Sequence, residues 1–337
     1  MMGKLLRAQW MPLLGAIAVA GVVLSFTNKE FGTAFNVYTI LQTAAVDAVI
    51  GLSQMVVLSV GDLSLAVGGI GGLVTIAVGN LFSVQHWPIG AAIVGALLIG
   101  LVCGLLNGII IAYTGISGFI VTLATGTAFT GISYGVTSTI PYSNVSSVLV
   151  TLGQGRVSFF PYALIVTIAA TVLIGGALRF LPIGREVLAV GGNREAAVLS
   201  GLSRQRATLI AHTVSGLLAA VAAVMYVGVL QSATPATGSD WLIVSFAVPI
   251  IGGTALVGGE ASASGCFVAA IVLAAINDAL IVLNINTDAV ELAEGLLIFA
   301  AVLAGRLGQV VLRPGQASGT RRGGGATETS GAPAATT

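Results

Sequence analysis

The feature that most constrains this chain is a succession of apolar stretches, each of about the 17 to 25 residues that a helix needs to cross a lipid bilayer. A helix is favoured there because it satisfies its own backbone hydrogen bonds where water is absent. Only 7% of the 337 residues are charged, against about 25% in soluble domains, and the mean hydropathy is +1.03. The sequence therefore predicts an all-α, multi-pass membrane protein.

The apolar stretches number about ten. Polar, glycine or proline residues separate them, and we place membrane spans at residues 11–26, 37–60, 66–82, 89–112, 119–136, 162–178, 208–230, 243–257, 265–283 and 290–304. With a cytoplasmic amino terminus, eleven of the thirteen lysines and arginines fall in cytoplasmic segments, and only Lys29 and Arg156 lie outside. Because cytoplasmic loops are enriched in basic residues, this bias predicts an even number of spans and two cytoplasmic termini.

The chain divides into a transmembrane permease domain at 1–312 and a carboxy-terminal tail at 313–337. The tail is poor in bulky apolar residues and rich in Gly, Ala, Ser and Thr, which predicts a disordered cytoplasmic segment. Cys103 and Cys266 each lie alone in an apolar stretch, so we expect them to pack in the core and to hold no metal or disulfide. The basic residues form no aromatic-interleaved patch of the kind that binds nucleic acid.

Two stripes of glycine predict where helices pack closely. Gly100, Gly104 and Gly108 recur in the fourth span, and Gly131 and Gly135 in the fifth. Small residues at this spacing let two membrane helices approach until their backbones are in contact. We therefore expect both stripes to face neighbouring helices.

The longest polar segment on the predicted cytoplasmic side is 179–206, and its centre at 184–202 reads GREVLAVGGNREAAVLSGL. The pair of glycines and Asn193 would break the chain, a short helix would follow at 194–199, and Gly201 would cap its end. Such a helix has the size to insert into a cleft on a partner protein. The alternative is an amphipathic helix whose arginines meet anionic lipid headgroups.

Ionisable and amide side chains near the spans are few, so each is a candidate for lining a solute pathway. The candidate residues are Asp47, Asp62, Ser64, Asn107, Thr122, Asn277, Asp278 and Glu294. Carboxylates and amides accept hydrogen bonds from sugar hydroxyls. Several acidic side chains without compensating bases would repel an anionic solute. This set of residues therefore favours a neutral polyol as the transported solute. The alternative for each residue is a helix-end group that reaches water.

Asp62 and Ser64 lie where the second span turns toward the third. One interpretation is that they cap the start of the next helix, and the other is a broken-helix element at an inner gate. His212 is expected to be a packed polar group that lacks the partners of a metal site or a proton relay.

Four segments in the same order resemble the ribose/xylose-type permeases of ABC sugar importers, in the branched-chain amino acid/ribose permease superfamily. They are 184–202 with its Gly-Gly-Asn turn, NGIIIAYTGISGFIVTLATGTAFTG at 107–131, GDLSLAVG at 61–68 and IGGTALVGG at 251–259. The resemblance extends from about residue 35 to about residue 306. Three departures leave the solute open: Ser117 or Gly118 replaces a family proline, Thr130 replaces an arginine, and residues 260–264 replace a glycine-rich segment.

This resemblance implies a bundle like that of type II ABC importers in the bacterial cell membrane, importing a monosaccharide or similar polyol. The implied partners are a cytoplasmic ATPase subunit, an extracytoplasmic solute-binding protein, a second permease copy or paralogue, and membrane lipid. The short helix would dock into the ATPase. The implied coupling residues are Gly184, Arg185, Gly191, Gly192, Asn193, Arg194, Glu195, Ala196, Ala197, Ser200 and Gly201.

The chain has no ATPase site of its own. A phosphate-binding P-loop needs Gly-Lys followed by Ser or Thr, and the only two lysines, Lys4 and Lys29, are followed by Leu5 and Glu30. We expect no bound cofactor, with ATP and Mg²⁺ used by the partner subunit. Other hypotheses are an ABC permease for a nucleoside, a furanosyl signal molecule or another small solute, and an ion-coupled secondary transporter. A membrane-embedded enzyme is disfavoured because the chain has no HExxH zinc motif.

Overall fold

The computed structural model of the chain describes residues 33–283, together with 292 and 295–296. Within these residues the fold is almost entirely helical. The named helices are α1 (Ala34–Ser59), α2 (Val67–Ser83), α3 (Ile89–Thr114), α4 (Gly118–Thr137), α5 (Ser147–Gln154), α6 (Ala163–Phe180), α7 (Pro182–Gly192), α8 (Arg194–Leu199), α9 (Arg204–Leu230), α10 (Trp241–Ile251) and α11 (Ala263–Val282). Two short strands, β1 (Arg156–Val157) and β2 (Phe160–Pro161), form an antiparallel pair between α5 and α6.

Seven of the predicted spans coincide with helices to within a few residues, namely those on α1, α2, α3, α4, α6, α9 and α11. Six of these helices are long and apolar enough to cross a membrane, whereas α2 has 17 residues and α10 has 11. The predicted first span, Glu294 and the tail at 313–337 lie outside the described residues, as does almost all of the predicted span 290–304.

The prediction for the span 243–257 is wrong in its second half, because α10 ends at Ile251. Pro249 inside α10 has no N–H to donate, and Gly253 beyond its end has a φ of +87°, which stops the helix. The residues that follow are apolar but form turns. Hydropathy alone cannot separate such turns from a continuing helix.

Helix α1 lies at the centre of the bundle and packs against α6, α9, α10 and α11. From Ala44 to Ser59 every residue of this helix is buried except Asp47. Most of these residues are small or β-branched, so neighbouring helices approach α1 closely on all sides. A hydrophobic helix buried all round is typical of the middle of a membrane bundle.

The glycine stripe on α3 packs against α9, as predicted. A Cβ atom on Gly104 would lie 2.9 Å from the Cα of Gly216, and one on Gly108 would lie 3.0 Å from the Cα of Leu209. The prediction for α4 is wrong within the described residues, since a Cβ on Gly131 or Gly135 would meet no atom within 4 Å. Only the first stripe therefore forms a seam between helices of this part of the chain.

The opposite face of α3 presents large apolar side chains outward. Val94, Leu98, Val102 and Leu106 follow one another at helical spacing, and their exposed fractions lie between 46% and 57%. An apolar stripe of this kind would be unfavourable in water and is stable against lipid chains. Helix α3 thus turns its glycines toward α9 and its leucines and valines outward.

Candidate functional site

The segment predicted to contain a short helix forms two helices, α7 and α8. Asn193 separates them and caps α8, because its Oδ1 accepts a hydrogen bond of 3.0 Å from the backbone N–H of Ala196. Gly201, just beyond the end of α8, has a φ of +81°. The predicted helix at 194–199 is confirmed, but Gly191 and Gly192 do not break the chain, since they form the last turn of α7.

The end of α7 meets two other backbones. Gly191 lies against the carbonyl of Ser59 at the end of α1, and the N–H of Gly259 donates a 3.0 Å hydrogen bond to that carbonyl. A Cβ on Gly191 would lie 2.7 Å from the nitrogen of Gly259, and one on Gly258 would lie 2.7 Å from the Cα of Gly61. We call these five residues the glycine junction. Any side chain at these contacts would force the backbones apart.

Arg194, the first residue of α8, attaches that helix to the glycine junction. Its Nη2 donates a hydrogen bond of 2.7 Å to the carbonyl oxygen of Gly61. Gly61 is the second residue of the segment 60–66, which joins α1 to α2, and its φ is +74°. Displacement of α8 would therefore act directly on this connecting segment.

Three hydrogen bonds hold the far end of segment 60–66 inside the bundle. The N–H of Leu65 donates to Oγ1 of Thr122 on α4 at 2.9 Å. Gln54 on α1 forms two hydrogen bonds with the backbone of Ser64 when its side-chain amide is oriented to satisfy both of its groups. The amide nitrogen donates to the carbonyl of Ser64 at 3.0 Å, and the amide oxygen accepts from the N–H of Ser64 at 3.3 Å. The connecting segment is thus fixed to α1 and α4 as well as to α8.

Asp62 is paired with His212. Nε2 of His212, which is buried on α9, lies 3.3 Å from Oδ2 of Asp62, and because a carboxylate only accepts hydrogen bonds the proton belongs on Nε2. Burial raises the pKa of Asp62. The opposing effects come from the hydrogen bond and charge of His212, the hydrogen bond from the N–H of Leu63 and the charge of Arg194, and together they outweigh burial. The pKa of Asp62 therefore lies below its ordinary value.

One interpretation of these residues is wrong. Asp62 and Ser64 do not cap α2, because the residue before that helix is Ala66, which makes no side-chain cap. Instead Oδ1 of Asp62 accepts from the N–H of Leu63 at 3.0 Å. His212 is a buried polar group, as predicted, and it pairs with Asp62.

The candidate pathway residues do not form one cluster. Asp62, Ser64 and Thr122 lie together around segment 60–66. Asn107 on α3 is buried, and its Oδ1 has no hydrogen-bond partner among the residues that the structure describes. Near the other end of α1, Asp278 on α11 accepts a 2.6 Å hydrogen bond from Nδ2 of Asn36. Asp47 and Asn277 are half-buried on α1 and α11.

Residues 131–135 read Gly-Ile-Ser-Tyr-Gly, a pattern that marks the nucleophile of many hydrolases. In this chain Ser133 is buried within the last two turns of α4 and donates a 2.9 Å hydrogen bond to the carbonyl of Phe129. The strand–turn–helix context that exposes a nucleophile is therefore missing here. Among the described residues, no group of three or more His, Cys, Asp or Glu side chains could hold a metal ion.

The free end of α8 is apolar. Ala197 is buried against the bundle, whereas Val198 is 54% exposed and Leu199 is 89% exposed. These two side chains lie within the polar segment 179–206, so they form a small hydrophobic tip among exposed charged residues. Sequence reasoning assigned α8 a docking role but did not identify Val198 or Leu199.

Comparison with known proteins agrees with the architecture. The family model for the permease component of the branched-chain amino acid transport system matches residues 36–303. The chain is 30% identical over 293 residues to the ribose import permease protein of Haemophilus influenzae, covering 86% of this chain and 90% of that protein. It is 31% identical over 286 residues to the L-arabinose ABC transporter permease protein of Azospirillum brasilense, covering 83% and 82%.

A third relative is the D-allose transport system permease protein of Escherichia coli, 28% identical over 292 residues that cover 87% of this chain and 89% of that protein. No solved structure matches the chain. The resemblance inferred from the four sequence segments is confirmed, because the family model covers nearly all of the same residues. With its apolar outward faces and membrane-length helices, this chain is a multi-pass inner-membrane protein and belongs to the family of permease components of the branched-chain amino acid transport system.

Proposed function

We propose that this chain is the membrane-spanning permease subunit of an ABC importer that translocates a monosaccharide or similar polyol. The relatives described above are named for ribose, L-arabinose and D-allose, and a fourth, from Rhizobium meliloti, for fructose. All four solutes are neutral polyols. The few acidic side chains in the described helices are compatible with such a cargo, because carboxylates accept hydrogen bonds from hydroxyl groups.

The observation that carries the proposal is the construction of α8. Its first residue, Arg194, is fixed to Gly61, its middle is buried at Ala197, and its last residue, Leu199, is 89% exposed. A helix held at its base and apolar at its tip is suited to fill a pocket on another protein. The occupant we propose is a separate ATPase subunit, since this chain has no P-loop and needs an external source of energy.

Coupling then follows from the contacts of the glycine junction. When ATP closes the paired ATPase subunits, α8 moves with them, and Arg194 transmits that displacement to Gly61. Because four of the five residues of the glycine junction are glycines, it packs backbone directly against backbone, so these backbones move together. The connection between α1 and α2 shifts in turn, which would alternate access to the solute pathway.

The bias of basic residues supports a topology of about ten spans with α7, α8, the glycine junction and both termini on the cytoplasmic side. A second copy or a paralogue would complete the pathway, and a solute-binding protein would deliver sugar on the opposite face. The outward apolar side chains of α3 would face lipid.

The test is transport by the purified assembly. The chain is co-expressed with its ATPase subunit, reconstituted in liposomes containing ATP, and given the solute-binding protein with radiolabelled D-ribose, L-arabinose, D-allose or D-fructose outside. We expect uptake of at least one sugar that requires ATP. Uptake driven by an ion gradient without the ATPase subunit would show that the chain is a secondary transporter and would refute the proposal.

A further inference from the structure

A cavity of about 290 Å³ has none of the predicted pathway residues in its lining. It is bounded by the start of α2, the middle of α4 and the start of α10 together with the residues just before it. Its polar side chains are the hydroxyls of Thr127, Thr130 and Ser239, its apolar ones belong to leucines, and no ionisable side chain lines it. Its volume is at the lower end of the range for small-molecule sites, which suits a compact ligand.

Glycine contacts bring the walls of this cavity close together. Gly68 at the start of α2 lies against the carbonyl of Gly238, and a Cβ on Gly69 would lie 3.0 Å from the Cα of Gly126 on α4. Because no side chains fill these contacts, backbone peptide groups line part of the cavity. Glycine commonly has this role where a ligand approaches the backbone.

The cavity offers both donors and acceptors of hydrogen bonds. Oγ1 of Thr127 donates to the carbonyl of Leu123 at 2.9 Å and Oγ1 of Thr130 donates to that of Gly126 at 3.0 Å, which leaves lone pairs on both oxygens to accept. Gly68 and Gly69, in the first turn of α2, line the cavity, and N–H groups in a first turn have no intrahelical acceptors. An uncharged ligand rich in hydroxyl groups matches such a surface.

From these features we infer that the cavity is a binding subsite for a neutral polyol on the translocation pathway, with Thr127, Thr130 and Ser239 as its specificity-determining hydroxyls. The inference rests on the proposed function. Leu65, which lines the cavity, belongs to the same connecting segment as Gly61, which Arg194 holds.

The test separates solute binding from energy coupling. In the reconstituted importer, sugar uptake and ATP hydrolysis are measured for Thr127→Val, Thr130→Val and Ser239→Ala. Thr125→Val is the control, because Thr125 also lies on α4 and donates to Val121 but does not line the cavity. Loss of one hydrogen bond to the sugar predicts about a fivefold slower uptake for each lining variant at an unchanged rate of ATP hydrolysis. Thr125→Val should match the native importer.

A labelling experiment tests the site without relying on rates. Both native cysteines are buried, so a Thr127→Cys variant offers a single reactive position to a water-soluble maleimide. The transported sugar should slow that reaction at least severalfold and should leave a Thr125→Cys control unchanged. Reaction only with a lipid-soluble maleimide, unaffected by sugar, would show that lipid fills the cavity and would overturn the inference.

The two proposals fail in different ways. If the native importer takes up none of the four sugars, the proposed function is wrong, and the subsite inferred from it is wrong as well. If the native importer transports a sugar and the three lining variants match Thr125→Val, only the subsite is wrong. If uptake and ATP hydrolysis fall together in the lining variants, the cavity acts in coupling rather than in binding, and the inference is again overturned.

Discussion

The guanidinium of Arg194 donates a 2.7 Å hydrogen bond to the carbonyl oxygen of Gly61, a residue 133 positions earlier in the chain. This bond joins the exposed helix α8 to the segment that connects α1 and α2. It is the one side-chain hydrogen bond described between α8 and that segment. The proposed coupling of ATP hydrolysis to solute movement depends on it.

Replacing Arg194 should uncouple the importer. Arg194→Ala removes the bond to Gly61 but leaves the apolar tip of α8 in place, so we expect the ATPase subunit still to bind while sugar uptake per ATP hydrolysed falls severalfold. Arg194→Lys should give an intermediate ratio of uptake to ATP hydrolysis, because the lysine ammonium keeps the positive charge but lacks the planar set of N–H donors of a guanidinium. Arg204→Ala is the control, as Arg204 is also exposed at the start of a helix. A normal transport ratio in Arg194→Ala would refute the coupling role.

Adjacent glycines at the end of α7 should respond differently to alanine. In Gly191→Ala the new methyl group would meet the carbonyl of Ser59, so we expect a loss of about 1 to 3 kcal/mol in stability from overpacking. In Gly192→Ala the methyl group would lie 3.7 Å from the Cα of Gly259, an ordinary contact, and stability should be nearly native. The thermal midpoints of the two variants in detergent, compared with that of the native protein, measure these changes in stability. Equal midpoints for the two variants would contradict the packing described for the glycine junction.

The two glycine stripes should give effects of opposite sign. Gly104→Ala places a methyl group 2.9 Å from the Cα of Gly216 and should destabilise the seam between α3 and α9 by about 1 to 3 kcal/mol. Gly131→Ala meets no atom within 4 Å, so the higher helix propensity of alanine should stabilise α4 by about 0.5 to 1 kcal/mol. Thermal unfolding in detergent of each variant beside the native protein gives both values. A Gly104→Ala protein as stable as the native one would contradict the close packing described between α3 and α9.

The pairing of Asp62 with His212 predicts a pH dependence of stability. Because the pKa of Asp62 is lowered in the folded protein, its ionised form stabilises the fold above the ordinary pKa of an aspartate, about 4, and this contribution is lost as the pH falls through the lowered pKa. The thermal midpoint of Asp62→Asn should therefore lie below that of the native protein at pH 7, and the difference should shrink as the pH falls below about 4. Asp240→Asn, at an exposed acid, serves as the control. A difference that does not change with pH would show that the ionised carboxylate contributes nothing.

The parts of the fold that sequence predicted are those governed by local chemistry. Hydropathy located the helices because each must satisfy its backbone within one apolar stretch. The short helix α8 was predicted to the residue because Asn193 and Gly201 specify its two ends through their own backbone and side-chain geometry. The end of α10 was missed because apolar residues continue past Ile251 into turns.

The contacts of the site depend on distant residues, and no local pattern encodes them. Asp62 and His212 are 150 positions apart, and each taken alone has a simpler explanation as a cap or a packed polar group. Gly191 was interpreted as part of a chain break, and Gly259 was named only within a segment of family resemblance, because a glycine gives no indication of which backbone it will contact. The cavity beside Thr127 consists mainly of glycine and hydroxyl groups, which are common throughout such helices.

The most direct test of the account is whether the tip of α8 binds the ATPase subunit. Native protein, Leu199→Glu and Val157→Glu are each co-expressed with the ATPase subunit and purified in detergent, and the amount of ATPase retained is measured. Val157 is 65% exposed on β1, outside the α7–α8 segment, and controls for adding an acid to an apolar surface position. We predict that the native protein and Val157→Glu retain the ATPase subunit and that Leu199→Glu loses it. Equal retention by all three, with normal ATP-dependent sugar uptake, would contradict the central claim that α8 is the coupling element.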